Sequence, residues 1–210
     1  MIRVFIADDH AVVREGLKRI IASTDGLCPA GEAANGMELL EQIAHHPCDV
    51  ILMDLAMPGL PGLEVLHELR RRHPRIPVLV LSMYPPDQYA VRALAAGAAG
   101  YLDKGRAPAD LITALRTVAA GRRYLTDEVA QCLAEHLDRE PDQAPHARLS
   151  NREFQVLCLI GSGRSVTEIA RDMSLSVKTV STFRSRLLMK LGLRRTAELV
   201  RYALEHGLVR

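Results

Sequence analysis

Residues 3–10 read RVFIADDH, a short apolar run that ends in two carboxylates and an imidazole. Branched and aromatic residues bounded by polar ones make a short strand. Residues 3–7 are therefore a strand whose carboxyl end carries Asp8 and Asp9. Outward from this stretch the same unit recurs: apolar runs fall at 28–33, 50–53, 78–81 and 100–102. Between and after them lie amphipathic stretches near 11–23, 36–45, 61–72, 87–97 and 108–120, several bounded by Gly or Pro. Apolar strands alternating with helices form a parallel sheet covered on both faces. For five such units, right-handed crossovers favour a flavodoxin-like (βα)5 domain of the α/β class with strand order 2-1-3-4-5.

In a doubly wound sheet the site lies at the carboxyl ends of the strands. Strand one ends in Asp8 and Asp9, strand three in Asp54, strand four in Ser82, and strand five is followed by Lys104. A single acid at such a place is more often a helix cap; five polar groups converging on one crevice are not explained that way. Carboxylates a few ångströms apart raise one another's pKa and call for a cation. Mg²⁺ suits them, taking one or two carboxylates together with waters and phosphate oxygens. Asp54 beside such an ion is placed to attack a phosphoryl group, with Lys104 and Ser82 on its oxygens.

The 210 residues carry a formal charge of +2, and the split is uneven. Residues 1–147 hold 15 Lys+Arg against 20 Asp+Glu, a balance of −5, and residues 148–210 hold 12 against 5, a balance of +7. A basic rear half points to a polyanionic partner. Cys28, Cys48, Cys132 and Cys158 are far apart, with no CxxC pair or Cys/His cluster, so they read as buried thiols in a reducing compartment. Asp8 and Asp9 interrupt the opening apolar run too early for a signal peptide, and no window reaches the ~18 apolar residues of a membrane helix. A cytoplasmic protein with no membrane partner is expected.

Residues 122–137 suggest a sixth helix, entered at Thr126 or Asp127, with Val129, Cys132, Leu133 and Leu137 on one side. The charged, proline-containing run at 138–148 (DREPDQAPHAR) reads as a flexible linker. The expected organisation is a domain over 1–121, a helix and linker over 122–147, and an all-α helix-turn-helix domain over 148–210. Ser150 with Glu153 and Ser165 with Glu168 are capping boxes, and Leu149 with Phe154 makes a hydrophobic staple. Ser176 caps a longer helix that stops at Gly192, and a last helix covers about 196–206. Short helix, tight turn and long helix form the helix-turn-helix pattern. On the long helix Lys178, Ser181, Thr182 and Ser185 share a polar face, flanked by Arg186 and Lys190. Val177, Val180, Leu187 and Leu191 line the other face.

Ala7-Asp8-Asp9-His10, Asp54-Leu55-Ala56-Met57-Pro58-Gly59, Leu81-Ser82 and Gly100-Tyr101-Leu102-Asp103-Lys104 resemble receiver domains of two-component systems. The rear segment resembles LuxR-type DNA-binding domains, so the whole chain is similar to NarL/FixJ-type response regulators. The resemblance implies that Asp54 accepts a phosphoryl group from a phosphohistidine on a sensor histidine kinase. It further implies that Asp9, Asp54 and the Ala56 carbonyl hold Mg²⁺, with Asp8 acting partly through water. Lys104 then pairs with the acyl phosphate, Ser82 turns to a phosphoryl oxygen, and Tyr101 rotates inward as a switch. Lys178, Thr179, Ser181, Thr182, Ser185, Arg186 and Lys190 are the implied contacts to double-stranded DNA. RNA polymerase is the implied target of the output, and a homodimer, using 196–206, its implied active form.

Three departures carry expectations of their own. Gly105 stands where many receivers have proline, which predicts a looser loop. Met83 and Tyr84 are bulky where water reaches the acyl phosphate, which predicts a long-lived phosphoform. Phe183 replaces a frequent histidine and is expected to be core-facing or semi-exposed. Two rival readings remain: a DNA-binding regulator whose receiver is a phosphorylation-independent interaction module, and an aspartyl-phosphate hydrolase. The second lacks an acid at position 56, which is Ala, so no multiple-turnover activity is expected.

Overall fold

The computed structural model describes residues 1–83, 86–106, 108–138, 145–173 and 175–209. The chain divides into two compact units, Met1–Leu133 and Ala134–Arg210.

The first unit is a parallel sheet of β1 (Ile2–Ala7), β2 (Leu27–Ala33), β3 (Val50–Met53), β4 (Val78–Ser82) and β5 (Gly100–Asp103). Their order is β2-β1-β3-β4-β5, as the alternating pattern predicts. The intervening helices are α1 (Ala11–Ala22), α2 (Gly36–Gln42), α3 (Gly62–Arg72), α4 (Pro86–Ala95) and α5 (Pro108–Ala119). On one face Val4, Ile6, Val50, Leu52, Leu79, Leu81 and Leu102 meet Leu17 and Ile21 of α1 and Leu111, Ala114, Leu115 and Val118 of α5. The alternate residues Phe5, Ile51, Met53, Val80 and Tyr101 are as deeply buried, and the pleat turns them to the opposite face. Burial on both sides is why these strands read as unbroken apolar runs.

A sixth helix, α6 (Asp127–Asp138), begins at the expected entry, with Thr126 Oγ1 accepting the Val129 N–H at 3.3 Å. Just before it the Tyr124 N–H donates to the Ala99 carbonyl at 3.0 Å, and Tyr124 bridges to Gly100 at the edge of β5. Val129 of α6 is fully buried, while Cys132 and Leu133 are half-buried. Residues 139–144 of the expected linker and Tyr84 lie outside the described residues.

The second unit contains α7 (Asn151–Gly161), α8 (Val166–Asp172), α9 (Val177–Leu191) and α10 (Thr196–Glu205). Each expected cap forms. Ser150 and Ser165 make complete capping boxes with Glu153 and Glu168, and Ser176 accepts from the Thr179 N–H. Gly192, at φ 68°, ends α9 in the left-handed region that favours glycine. Pro145–Arg148, read from sequence as linker, is a 3₁₀ turn in contact with α9. Its His146 ring lies 3.0 Å from the Tyr202 hydroxyl and edge-on to His206. Those partners lie more than fifty residues away, beyond any local pattern.

Candidate functional site

Parallel pairing assembles the crevice in the first unit. Ala7 is opposite Met53, and the ladder continues one step further, with the Asp54 N–H donating to the Ala7 carbonyl at 2.8 Å. Asp8 and Asp54 therefore leave the sheet side by side. On the far side Ser82 is opposite Asp103, and the Lys104 N–H donates to the Ser82 carbonyl at 2.8 Å. The loop after Asp54 is tied down by α3: a Cβ at Gly62 would stand 2.6 Å from the Leu55 carbonyl oxygen, so the helix can begin against that loop only with glycine there.

Lys104 Nζ donates to Asp8 Oδ2 and to Asp54 Oδ2, both at 2.6 Å. Asp8 is 1% exposed, Asp54 2%, and the Lys104 side chain 9%. The other oxygens are held by the backbone. Asp54 Oδ1 accepts the Ala56 N–H at 3.0 Å, and Asp8 Oδ1 accepts the His10 N–H at 2.8 Å. Burial pushes the Asp54 carboxyl above its ordinary value against the pull of Lys104. Burial works the other way on Lys104, but Asp54 and Asp8 overcome it and leave the ammonium above its ordinary value. Ser82 is fully buried at the end of β4.

Three carboxylates against one ammonium leave the crevice negative. Asp9 Oδ1 is buried and accepts no hydrogen bond among the described residues, although the His10 ring nitrogen lies 2.8 Å away. One oxygen of each of Asp8, Asp9 and Asp54, and a ring nitrogen of His10, lie within 4.8 Å of one another. A hard divalent cation fits this donor set, neutralising the excess charge and occupying the Asp9 oxygen that accepts no hydrogen bond.

Two residues of the crevice were not singled out from sequence. Arg14 donates from Nη1 to the Asp8 carbonyl at 2.8 Å and from Nε to Glu32 at 3.3 Å, so it holds the loop that carries both acids. Its place one turn into α1, with Glu32 at the end of the paired strand, was the available signal. His10 was visible as the neighbour of the acid pair, but nothing local assigned it to the cluster.

Further expectations concern Tyr101, the loop after Lys104 and Met83. Tyr101 is already fully buried, so its ring does not start from an outward position here. The loop after Lys104 has its own restraints in place of proline: the Gly105 N–H donates to Asp103 Oδ1 at 2.5 Å, and Arg106 pairs with Glu128. Met83 is 71% exposed.

In the second unit α9 presents Lys178, Thr182, Ser185 and Arg186 to solvent, with Ser181 half-buried beside them. Thr182 Oγ1 donates to the Lys178 carbonyl and Ser185 Oγ to the Ser181 carbonyl, each at 3.0 Å. Both hydroxyl protons are thus used within the helix, which leaves the oxygens as acceptors. Thr179 Oγ1 lies 2.8 Å from Ser176 Oγ in the cap of the helix. Lys190 donates to buried Glu153 at 2.7 Å, so its ammonium braces α9 against the start of α7. Val177, expected on the apolar side, is 49% exposed because the first turn of α9 extends past the core that takes Val180 and Leu187. Phe183 is half-buried.

A receiver crevice on a doubly wound sheet, followed by a helix-turn-helix unit, defines a two-component response regulator of the DNA-binding kind. The chain belongs to this family: the response regulator receiver domain matches residues 4–116, and the luxR family of bacterial regulatory proteins matches residues 147–203. Response regulator UvrY of Escherichia coli is 37% identical over 209 residues, covering 99% of this chain and 96% of the relative. Response regulator GacA of Pseudomonas viridiflava is 40% identical over 210 residues, covering 100% and 98%. Among solved structures, the RcsB response regulator of Salmonella typhimurium aligns with a TM-score of 0.70 at 28% identity over 98% of both chains. The RcsB–DNA complex aligns with a TM-score of 0.60 at 28% identity, covering 97% of this chain and 98% of that one.

Proposed function

We propose that Asp54 is the phosphoacceptor of a switch that controls transcription. The observation that carries this reading is the pair of 2.6 Å contacts from one buried lysine to Asp8 and Asp54. An ammonium so placed passes from the carboxylate to a phosphoryl oxygen once Asp54 becomes an acyl phosphate. Asp54 attacks the phosphorus of a phosphohistidine on a sensor histidine kinase; the P–N bond breaks, the O–P bond forms, and the imidazole leaves. Asp8, Asp9, Asp54 and the Ala56 carbonyl would hold Mg²⁺, whose chemistry there is to neutralise phosphoryl charge. Ser82 donates its hydroxyl to a phosphoryl oxygen, and Tyr101 repacks with it, so that one modification biases two arrangements of β4, β5 and their surroundings. The group stays on Asp54 with no catalytic turnover.

The output is a homodimer on double-stranded DNA in the cytoplasm, with RNA polymerase as its target. Leu204, an exposed apolar residue of α10, suits a dimer contact. Lys178 and Arg186 contact phosphates, while Ser181, Thr182 and Ser185 meet base edges in the major groove. Thr179 shapes the start of α9 and Lys190 holds its far end. The working division is a receiver over 1–121, a connector over 122–147 and a DNA-binding domain over 148–210.

The test is phosphorylation by a small acyl-phosphate donor with Mg²⁺, followed by intact mass, sedimentation and DNA binding. One phosphoryl adduct on the wild type, none on Asp54→Asn, and a shift toward dimer with tighter DNA binding are expected. An adduct that leaves DNA affinity unchanged would instead favour a receiver acting as an interaction module.

A further inference from the structure

The contact between His10 and Asp9 is short, yet it is not a hydrogen bond. His10 Nδ1 stands 2.8 Å from Asp9 Oδ1, but that oxygen accepts no hydrogen bond although it is buried. The same nitrogen is 3.3 Å from Asp8 Oδ1. A ring nitrogen and two carboxylate oxygens have thus been brought together with no aligned proton between the closest pair. Ligands on adjacent corners of an octahedral ion with bonds near 2.1 Å stand about 3 Å apart. The separations 2.8 and 3.3 Å bracket that edge. The local fold explains the placement: the His10 N–H is anchored on Asp8 Oδ1, His10 is the N-cap residue of α1, and its side chain makes no cap bond, so the ring is not committed to the helix.

From this geometry we infer that His10 is a fourth ligand of the cation site and biases it toward first-row transition ions over Mg²⁺. The inference rests on the cation site proposed above and deepens it. Carboxylate and water suit Mg²⁺, whereas imidazole adds affinity for ions further along the first row. A site of carboxylates alone discriminates weakly; one nitrogen donor changes the ranking. With a side chain 66% exposed, the imidazole is open to the solvent from which an ion arrives.

The experiment titrates the full-length chain with Mg²⁺ and separately with Co²⁺, by calorimetry and by the visible spectrum of Co²⁺, on wild type, His10→Ala and Asp9→Asn. The exposed position and absent cap bond mean that His10→Ala leaves the fold intact. We expect His10→Ala to hold Mg²⁺ within about twofold of wild type while losing about tenfold or more in Co²⁺ affinity, with the Co²⁺ bands moving toward those of an all-oxygen site. Asp9→Asn weakens both ions. Unchanged Co²⁺ affinity and spectrum in His10→Ala, with both ions weakened by Asp9→Asn, would overturn the role of His10 and leave the cation site standing. If neither ion binds wild type, or Asp9→Asn changes neither, the cation site falls and His10 falls with it.

Discussion

Lys104 of the receiver is almost entirely hidden and bound to two carboxylates, whereas Lys178 of α9 stands in solvent. The contrast extends to their neighbours. Asp8, Asp54 and Ser82 are buried at strand ends, drawn together by the register of a parallel sheet; Thr182, Ser185 and Arg186 are exposed and share a face because of helical spacing. A buried crevice of like charges is stable only when each charge is answered, so its residues depend on one another. An exposed helical face tolerates change at each position, because water answers whatever is left unpaired. Energy is concentrated in the first site and spread out in the second.

The strongest way to break this contrast is Lys104→Ala. It leaves Asp8 and Asp54 buried without their shared cation, and we expect about 3–5 kcal/mol to be lost from the receiver's unfolding free energy without divalent ions. Added Mg²⁺, or a second change Asp54→Asn, should restore much of it. A loss below about 1 kcal/mol in urea unfolding monitored by circular dichroism would show that the crevice is far better solvated than its burial indicates.

Next comes Glu153→Gln, which tests whether the second unit has a buried charge of its own. Burial opposes the charge of Glu153, but Lys190 and the Ser150 backbone and hydroxyl hold its carboxyl below the ordinary value. A depressed carboxyl stabilises the fold above the unfolded glutamate pKa of about 4.3, and the contribution fades as pH falls through the lower folded value. Acid unfolding of the second unit should therefore steepen below about pH 4 in wild type and flatten in Glu153→Gln. At neutral pH the variant should lose about 1–3 kcal/mol.

A smaller effect is expected at the caps. Ser165→Ala removes the bond to the Glu168 N–H and should cost about 1 kcal/mol, with most of the loss recovered by Ser165→Asn. Smallest in free energy, and most telling for the exposed face, is Lys178→Ala. Binding should weaken alike on all DNA sequences, with the slope of log affinity against log salt falling by about 1. Thr182→Ala should instead alter the preferred bases and leave that slope alone. A sequence-dependent effect of Lys178→Ala would move that residue from the phosphates to the base edges.

The crevice was legible because its residue types are rare at strand ends and because apolar runs mark where strands stop. The caps of α7, α8 and α9 were legible for a similar reason, since Ser and Glu three apart act within one helical turn. What the pattern did not record shares a cause. Tyr124 meets Gly100 across the sheet edge, and Lys190 meets Glu153 from 37 positions away. Val177 matched the apolar spacing of α9, but periodicity does not say how far a core extends along a helix. Arg14 escaped notice, and His10 was seen without a role, because what they do depends on how the Asp8–Asp9 loop sits in space.

By itself the sequence determined the order of strands and helices, the helix ends, the division of charge between front and rear, and the identity of the acids, hydroxyl and lysine at the strand ends. These follow from interactions within a few residues or from solvent preference, which a linear pattern records. Only the tertiary structure decided that Lys104 bridges Asp8 to Asp54, that Asp9 Oδ1 meets the His10 ring without a hydrogen bond, that Tyr101 lies inside, and that Lys190 serves Glu153. Each of these depends on how buried or closely placed groups find partners, and that is settled by the three-dimensional packing of elements rather than by the spacing of residues along any one of them.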